Sequence, residues 1–290
     1  MSSLHPPSAL AALAAVAAEA PRAALPATAH ARRWGRLGAQ LASVAACLLM
    51  WHLAVQLRLN LGLITFANVP SPAEVLEAAW ALLHSPKLAG HLVSSLLRVG
   101  LGFGIAAVLG VVLGLAVGRW RWARNFLLPP LEVLRPIPAV AWIPLSILMF
   151  PSSEGSMVFI TFVGALFPIL LNTIHGVESV DARLVASARS LGTRGWRLFS
   201  EVIAPSAAPS IVTGLSIGMG TCWFCLVTAE MIAGQFGIGY YTWESYTVQN
   251  YAGIVVGMLL IGALGMGSSA IIRRAGERLM PWHRPQGAAQ

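Results

Sequence analysis

Apolar positions along this chain gather into six long runs, at roughly 37–57, 92–118, 127–150, 157–176, 209–233 and 251–272. Each approaches or exceeds the ~20 residues that an α-helix needs to cross the hydrocarbon of a bilayer. The pattern predicts an all-α, polytopic membrane protein with about six transmembrane helices. Two polar intervals have a pattern of their own. In "PSPAEVLEAAWALLH", Ser71 is an N-cap, Pro72 takes the first helical position and Glu74 completes a capping box. Val75, Leu76, Ala79, Leu82 and Leu83 then form an apolar stripe, which predicts a helix lying on the membrane or on the protein. The second interval, 178–205, is basic and amphipathic. On a helical wheel Leu184, Ala188, Leu191, Leu198 and Val202 share a face, while Arg183, Arg189, Arg194 and Arg197 project from the other side. Glu178 and Asp181 suit a helix N-terminus, Gly192 and Gly195 divide the stretch into two short helices, and Pro205 and Pro209 end it.

Composition agrees with the pattern. Of 290 residues 57% are hydrophobic and 10% charged, with mean hydropathy +0.72, against about 25% charged in soluble domains. The net charge of +8 raises nucleic acid as a partner, but the arginines flank apolar runs, which is how topology is set. Arg22, Arg32, Arg33, Arg36, Arg119, Arg121, Arg124, Arg183, Arg189, Arg194, Arg197, Arg273, Arg274, Arg278 and Arg284 fall on one side of six alternating spans, and only Arg58 and Lys87 on the other. Both termini and the 178–205 interval are thus expected in the cytoplasm, with no nucleic-acid role. Residues 1–36 read as a disordered cytoplasmic tail rather than a signal peptide, because no positive n-region precedes the alanine-rich stretch. Residues 37–272 form the transmembrane domain, and 273–290 a cytoplasmic C-terminal tail.

Within the spans, glycines at 100 and 104, at 110, 114 and 118, and at 253 and 257 have the spacing of close helix contacts. Pro136, Pro138 and Pro144 remove backbone donors from the third span. Non-helical backbone at membrane depth is tolerated where it is buried in protein or lines a cavity, so Arg135, Pro136 and Pro138 are candidates for a translocation pathway. Arg98 and Glu230, charges within spans, are two more. Glu132 and Arg135, three residues apart, are expected to pair. Cys47, Cys222 and Cys225 lie in apolar runs, "CWFC" included, and read as small hydrophobes rather than a disulfide or metal set. No Gly-rich loop with G-K-[ST] surrounds the single lysine, Lys87, and no catalytic cluster stands out. The chain is therefore read as a non-enzyme with no catalytic residues, metal site or cofactor of its own.

The stretch "ASARSLGTRGWRLFSEVIAP" resembles the cytoplasmic loop of permease subunits of ATP-binding-cassette importers, E-A-A, three residues, G, nine residues, I-x-L-P. Ala186, Ser187 and Ala188 stand at E-A-A, Gly192 at the glycine, Val202 at the isoleucine, Ala204 at the leucine and Pro205 at the proline. The acidic residue and the leucine are both replaced by alanine. "VPSPAEVLEA", "SLLRVGLGF", "LRPIPAVAWIPL" and "FGIGYY" are similar to the branch importing nitrate, taurine, aliphatic sulfonates and bicarbonate. "MFPSSEGS" departs from that branch in a loop expected outside. The resemblance runs from about Asn68 to Ile272 and implies a type I importer permease of the bacterial inner membrane. It also implies a coupling segment carried by Ala186, Ser187, Ala188, Leu191, Gly192 and Pro205. The implied partners are a second permease copy, two ATPase subunits holding ATP and Mg2+, an extracytoplasmic binding protein and membrane lipid. A small anion is the implied cargo. A permease for a neutral pyrimidine-like nutrient is the alternative, and a secondary transporter a more distant one, since no inverted repeat is visible.

Overall fold

The computed structural model describes residues 28–60, 62 and 65–282. Helix α1, Thr28–Gln56, forms a unit of its own, and the chain from Arg58 onward forms the second. The sequence places a disordered tail over 1–36, yet helix begins at Thr28, while residues 1–27 lie outside the described ones, as do 283–290 of the C-terminal tail.

The second unit opens with α2, Pro72–Leu83. The capping box is present: Glu74 N donates to Ser71 Oγ at 3.3 Å, and Ser71 N donates to Glu74 Oε2 at 2.9 Å. Val75 and Leu82 are buried, and the helix packs on α11 (Tyr251–Leu279). Leu76, Trp80 and Leu83 remain exposed, so only part of the expected stripe meets protein.

Helices α3 (Lys87–Arg119), α6 (Ser153–Glu178) and α9 (Ala204–Ala233) make the core, with α6 packed between the other two. Half of the most apolar window of α6 is buried, against 11% for that of α11. Small residues make the contact possible. At Gly114 an added Cβ would stand 2.5 Å from Thr173 Cβ and 3.0 Å from Leu170 O. The row Gly102, Ala106, Gly110, Gly114 and Val117 is the buried face of α3. Gly100 and Gly104, which the spacing also offered, meet nothing within 4 Å. Two residues along a helix turn the side chain by about 200°, so they point away from the row that begins at Gly102. Gly253 and Gly257 do approach α10 (Ile238–Thr247), as expected.

The third span is broken. α4 (Arg121–Leu134) and the segment Ala139–Met149, a 3-10 turn followed by α5 (Ile143–Met149), are bent by 81° across the break. Pro136 and Pro138 sit in that break without donors, and Pro138 is extended (φ −58, ψ 135). Pro144 is absorbed in the first turn of α5, where a missing N–H costs nothing. With this bent pair counted as one span, the described residues hold six candidate spans.

One expectation is corrected at the fifth span and one at the sixth. Pro205 and Pro209 do not end the preceding helix, because a π-turn, Phe199–Ile203, carries the chain straight into α9. Ala204 N donates to Phe199 O five residues back, and the wider turn makes room for a proline ring at 205. At the other end of the chain, helix α11 continues to Leu279, seven residues past the expected edge of the span, and takes Arg273, Arg274 and Arg278 into its last turns, where cations suit a helix C-terminus.

Candidate functional site

Two polar constructions stand at opposite ends of α6. At the arginine-rich end Asp181 caps α7 (Ala182–Ser190), its carboxylate accepting from Arg183 N at 2.8 Å. The helix stops in a Schellman arrangement: Gly192 N donates to Arg189 O at 3.0 Å and Thr193 N to Ala188 O at 3.0 Å. Gly192 has φ +90, a left-handed conformation that a Cβ would strain, although an added Cβ would meet no other described residue within 4 Å. Arg194, extended at φ −140 and ψ 165, then precedes α8 (Gly195–Leu198) and makes no side-chain capping bond.

The inward side is made by Leu198, Phe199, Ile203 and Ala207 with Val177, and Val185, Ala188 and Val202 pack against them. Leu184 and Leu191, expected on this face, are exposed, Leu191 at 88%. One wheel drawn through Gly192 to Gly195 cannot hold, because both glycines leave the right-handed helical conformation, at φ +90 and +57. The outward side of α7 and its turn is therefore Ala186, Ser187, Leu191 and Gly192, with Arg183, Arg189 and Arg194 around it. Pro205 lies in the first turn of α9, away from this surface. Arg119, Arg189, Arg194, Gly195 and Leu198 border an open cavity of about 420 Å3. Arg124 pairs with Glu178 at 2.7 Å.

At the other end Arg98 and Glu230, on α3 and α9, come together. Arg98 Nη1 donates to Glu230 Oε1 at 2.8 Å and to the carbonyl of Phe236 at 2.6 Å. Its Nε donates to Glu154 Oε2 at 2.8 Å, and its Nη2 to the other Glu154 oxygen. Ser95 Oγ donates to Glu230 Oε1 at 2.8 Å, and Gly239 N to Glu230 Oε2 at 2.9 Å. The turn before α10 closes the arrangement: Gly237 N donates to His91 Nδ1 at 3.1 Å, and Ile238 N to Ser95 Oγ at 3.0 Å. Gly237 has φ +131, and a Cβ there would run into the Glu230 carboxylate. Three consecutive amides are thus satisfied by side chains of α3 and α9.

Arg98 and Glu230 stand out in the sequence as charges within spans, but their partners do not. His91, Ser95 and Arg98 at i, i+4 and i+7 form one polar face on an apolar helix, a signal that was present. Glu154 and the amides of 237–239 carried no local signal. Arg135, Pro136 and Pro138 lie in the break between α4 and α5 and take no part in this cluster. Glu132 and Arg135 border the same crevice beside Phe167 and Leu170, and no ion pair between the two occurs among the described residues. Both are exposed, where solvation competes with an i, i+3 contact. Cys222 and Cys225 are buried in the core between α9, α6 and α3. No group of three potential metal-ligating side chains occurs among the described residues.

Residues 106–282 match the family model described as binding-protein-dependent transport system inner membrane component. The chain is 36% identical over 204 residues to a putative ABC transporter permease protein of Methanocaldococcus jannaschii, covering 70% of this chain and 76% of the relative. It is 34% identical over 209 residues to the nitrate import permease of a Synechocystis strain, covering 69% and 76%. To the putative aliphatic sulfonates transport permease of Escherichia coli it is 39% identical over 210 residues, covering 72% and 80%.

Proposed function

The chain belongs to the binding-protein-dependent transport system inner membrane components, and on that premise we propose that it carries a small oxyanion, of the nitrate or sulfonate kind, inward. It is a multi-pass permease of an ABC importer in the inner membrane, working with ATPase and binding-protein partners. The finer reading is a homodimer with two ATPase subunits, which hold the ATP and Mg2+, and one extracytoplasmic binding protein. The arginine-rich end faces the cytoplasm, following the charge bias of the loops.

The observation that carries the coupling role is the turn at Gly192. It ends α7 in a Schellman motif and leaves Ala186, Ser187 and Leu191 uncovered at the end of the bundle. Small side chains and one apolar residue on an exposed turn suit insertion into a groove of another protein. ATP binding would draw two ATPase subunits together and move these turns as rigid bodies, with the broken span re-aiming the pathway. The cargo reading is supported by the relatives' names, nitrate import and aliphatic sulfonates transport. Uptake of nitrate, taurine, alkanesulfonates and bicarbonate by the reconstituted complex tests it. Saturable uptake of one of these anions is expected. Uptake confined to neutral pyrimidine-like compounds contradicts it.

A further inference from the structure

Arg98 holds two carboxylates, and the two are held in different ways. Glu230 is fully buried and accepts from three groups on two segments of the chain, Ser95 and Arg98 of α3 and the amide of Gly239 in α10. Glu154 has a side chain 65% exposed, and its partner among the described residues is Arg98 alone. One cation facing two anions leaves the cluster with a surplus negative charge. If Glu230 left, a buried guanidinium would lose its buried partner, a costly state. If Glu154 left, the Arg98–Glu230 pair would remain neutral, Phe236 O would still accept from Arg98, and the freed carboxylate would go into water. The arm that can open is therefore Glu154.

The position of Glu154 shows what such an opening would release. α3 and α6 are locked together from Gly102 onward by side chains without spare room. Glu154 stands beyond that zone, in the first turn of α6, just after the corner that joins α6 to α5 of the broken span. Within the corner, Ser156 Oγ donates to Ser146 O at 2.9 Å, which ties α5 and the first turn of α6 into one piece. The Arg98–Glu154 bond ties that piece to α3.

We propose that the Arg98–Glu154 ion pair is a latch on the broken span. It is closed here, and it is opened when a cationic side chain of the docked binding protein takes the Glu154 carboxylate. The proposal rests on the reading of this end as extracytoplasmic and of the chain as a binding-protein-dependent permease. The exposed carboxylate and the surplus negative charge supply the complementarity for a cationic group. Glu230 is the fixed anchor and Arg98 the positioning residue between the two.

The test uses the full complex of permease, ATPase and binding protein in nanodiscs, comparing wild type with Glu154→Ala and Glu154→Asp. Glu154→Ala is expected to assemble normally, to raise ATPase activity without binding protein at least threefold, and to reduce the stimulation the binding protein gives. Glu154→Asp, which keeps the charge, is expected to fall between Glu154→Ala and wild type in both readouts. Unchanged or lowered ATPase activity without binding protein in Glu154→Ala overturns the latch. So does failure of that variant to assemble, because the anchoring role is assigned to Glu230. Stimulation of the wild type by the binding protein tests the underlying reading separately. If it is absent, that reading fails; if it is present while Glu154→Ala behaves as wild type, only the latch fails.

Discussion

The two ends of α6 treat charge in opposite ways. Around Arg98 the charges of α3 and α9 are buried, and each has its partners placed by side chains or backbone amides. Around Gly192 the arginines are exposed, and Arg183, Arg189 and Arg194 form no ion pair among the described residues. A buried charge must be satisfied inside the chain, so the Arg98–Glu230 pair at the first end is a fixed structural joint. An exposed one is solvated at little cost, so the second end is left open for another chain or for lipid headgroups.

The contrast is broken most severely at Arg98. Arg98→Leu strands Glu230 in the core beside Ser95, and losing one partner of a buried pair costs about 3–5 kcal/mol. A marked loss of folded, monodisperse protein and a lowered thermal midpoint in detergent are expected. A variant as stable as wild type would show that Arg98 is not a joint. This differs from the simple pathway role that its place in an apolar span first offered, under which Arg98 would be dispensable for folding.

Smaller effects on folding, with larger ones on partnership, are expected at the other end. Gly192→Val forces a β-branched residue into a left-handed conformation, at about 1–2 kcal/mol, and should re-aim the turn. Ala186→Trp adds bulk to an exposed position and should leave stability unchanged. Both are expected to remove co-purification of the ATPase with the tagged permease while leaving membrane insertion intact. Ala188 is a poorer probe, because it packs against the cluster around Leu198 and a bulky replacement there acts on the fold. Arg194→Ala is the mildest change: at about 0–1 kcal/mol for an exposed pair, it should weaken ATPase association only slightly, and only at low salt. Retention of the ATPase by both Gly192→Val and Ala186→Trp would remove the coupling role from this turn.

Much of this was legible in the sequence, for identifiable reasons. Span number, the capping box at Ser71, the division at Gly192 and Gly195, and the break at Pro136 and Pro138 are set by residues acting on their own backbone. What stayed hidden depends on residues far apart in the chain. Glu154 meets Arg98 across 56 residues and Glu230 meets it across 132, and no local pattern encodes such a meeting. The π-turn before Pro205 was hidden for another reason, since two prolines read locally as a stop while the continuous helix is held by packing around Phe199 and Ile203.

On the proposed reading, this chain moves its cargo with energy supplied by another protein through the Gly192 turn. The direct measurement is uptake of a labelled oxyanion into proteoliposomes containing the permease alone, the permease with ATPase, and the full complex with binding protein and Mg-ATP. Uptake is expected in the full complex only, lost when ATP is omitted and lost again with Gly192→Val. Uptake by the permease alone, driven by an ion gradient and indifferent to ATP, would contradict it.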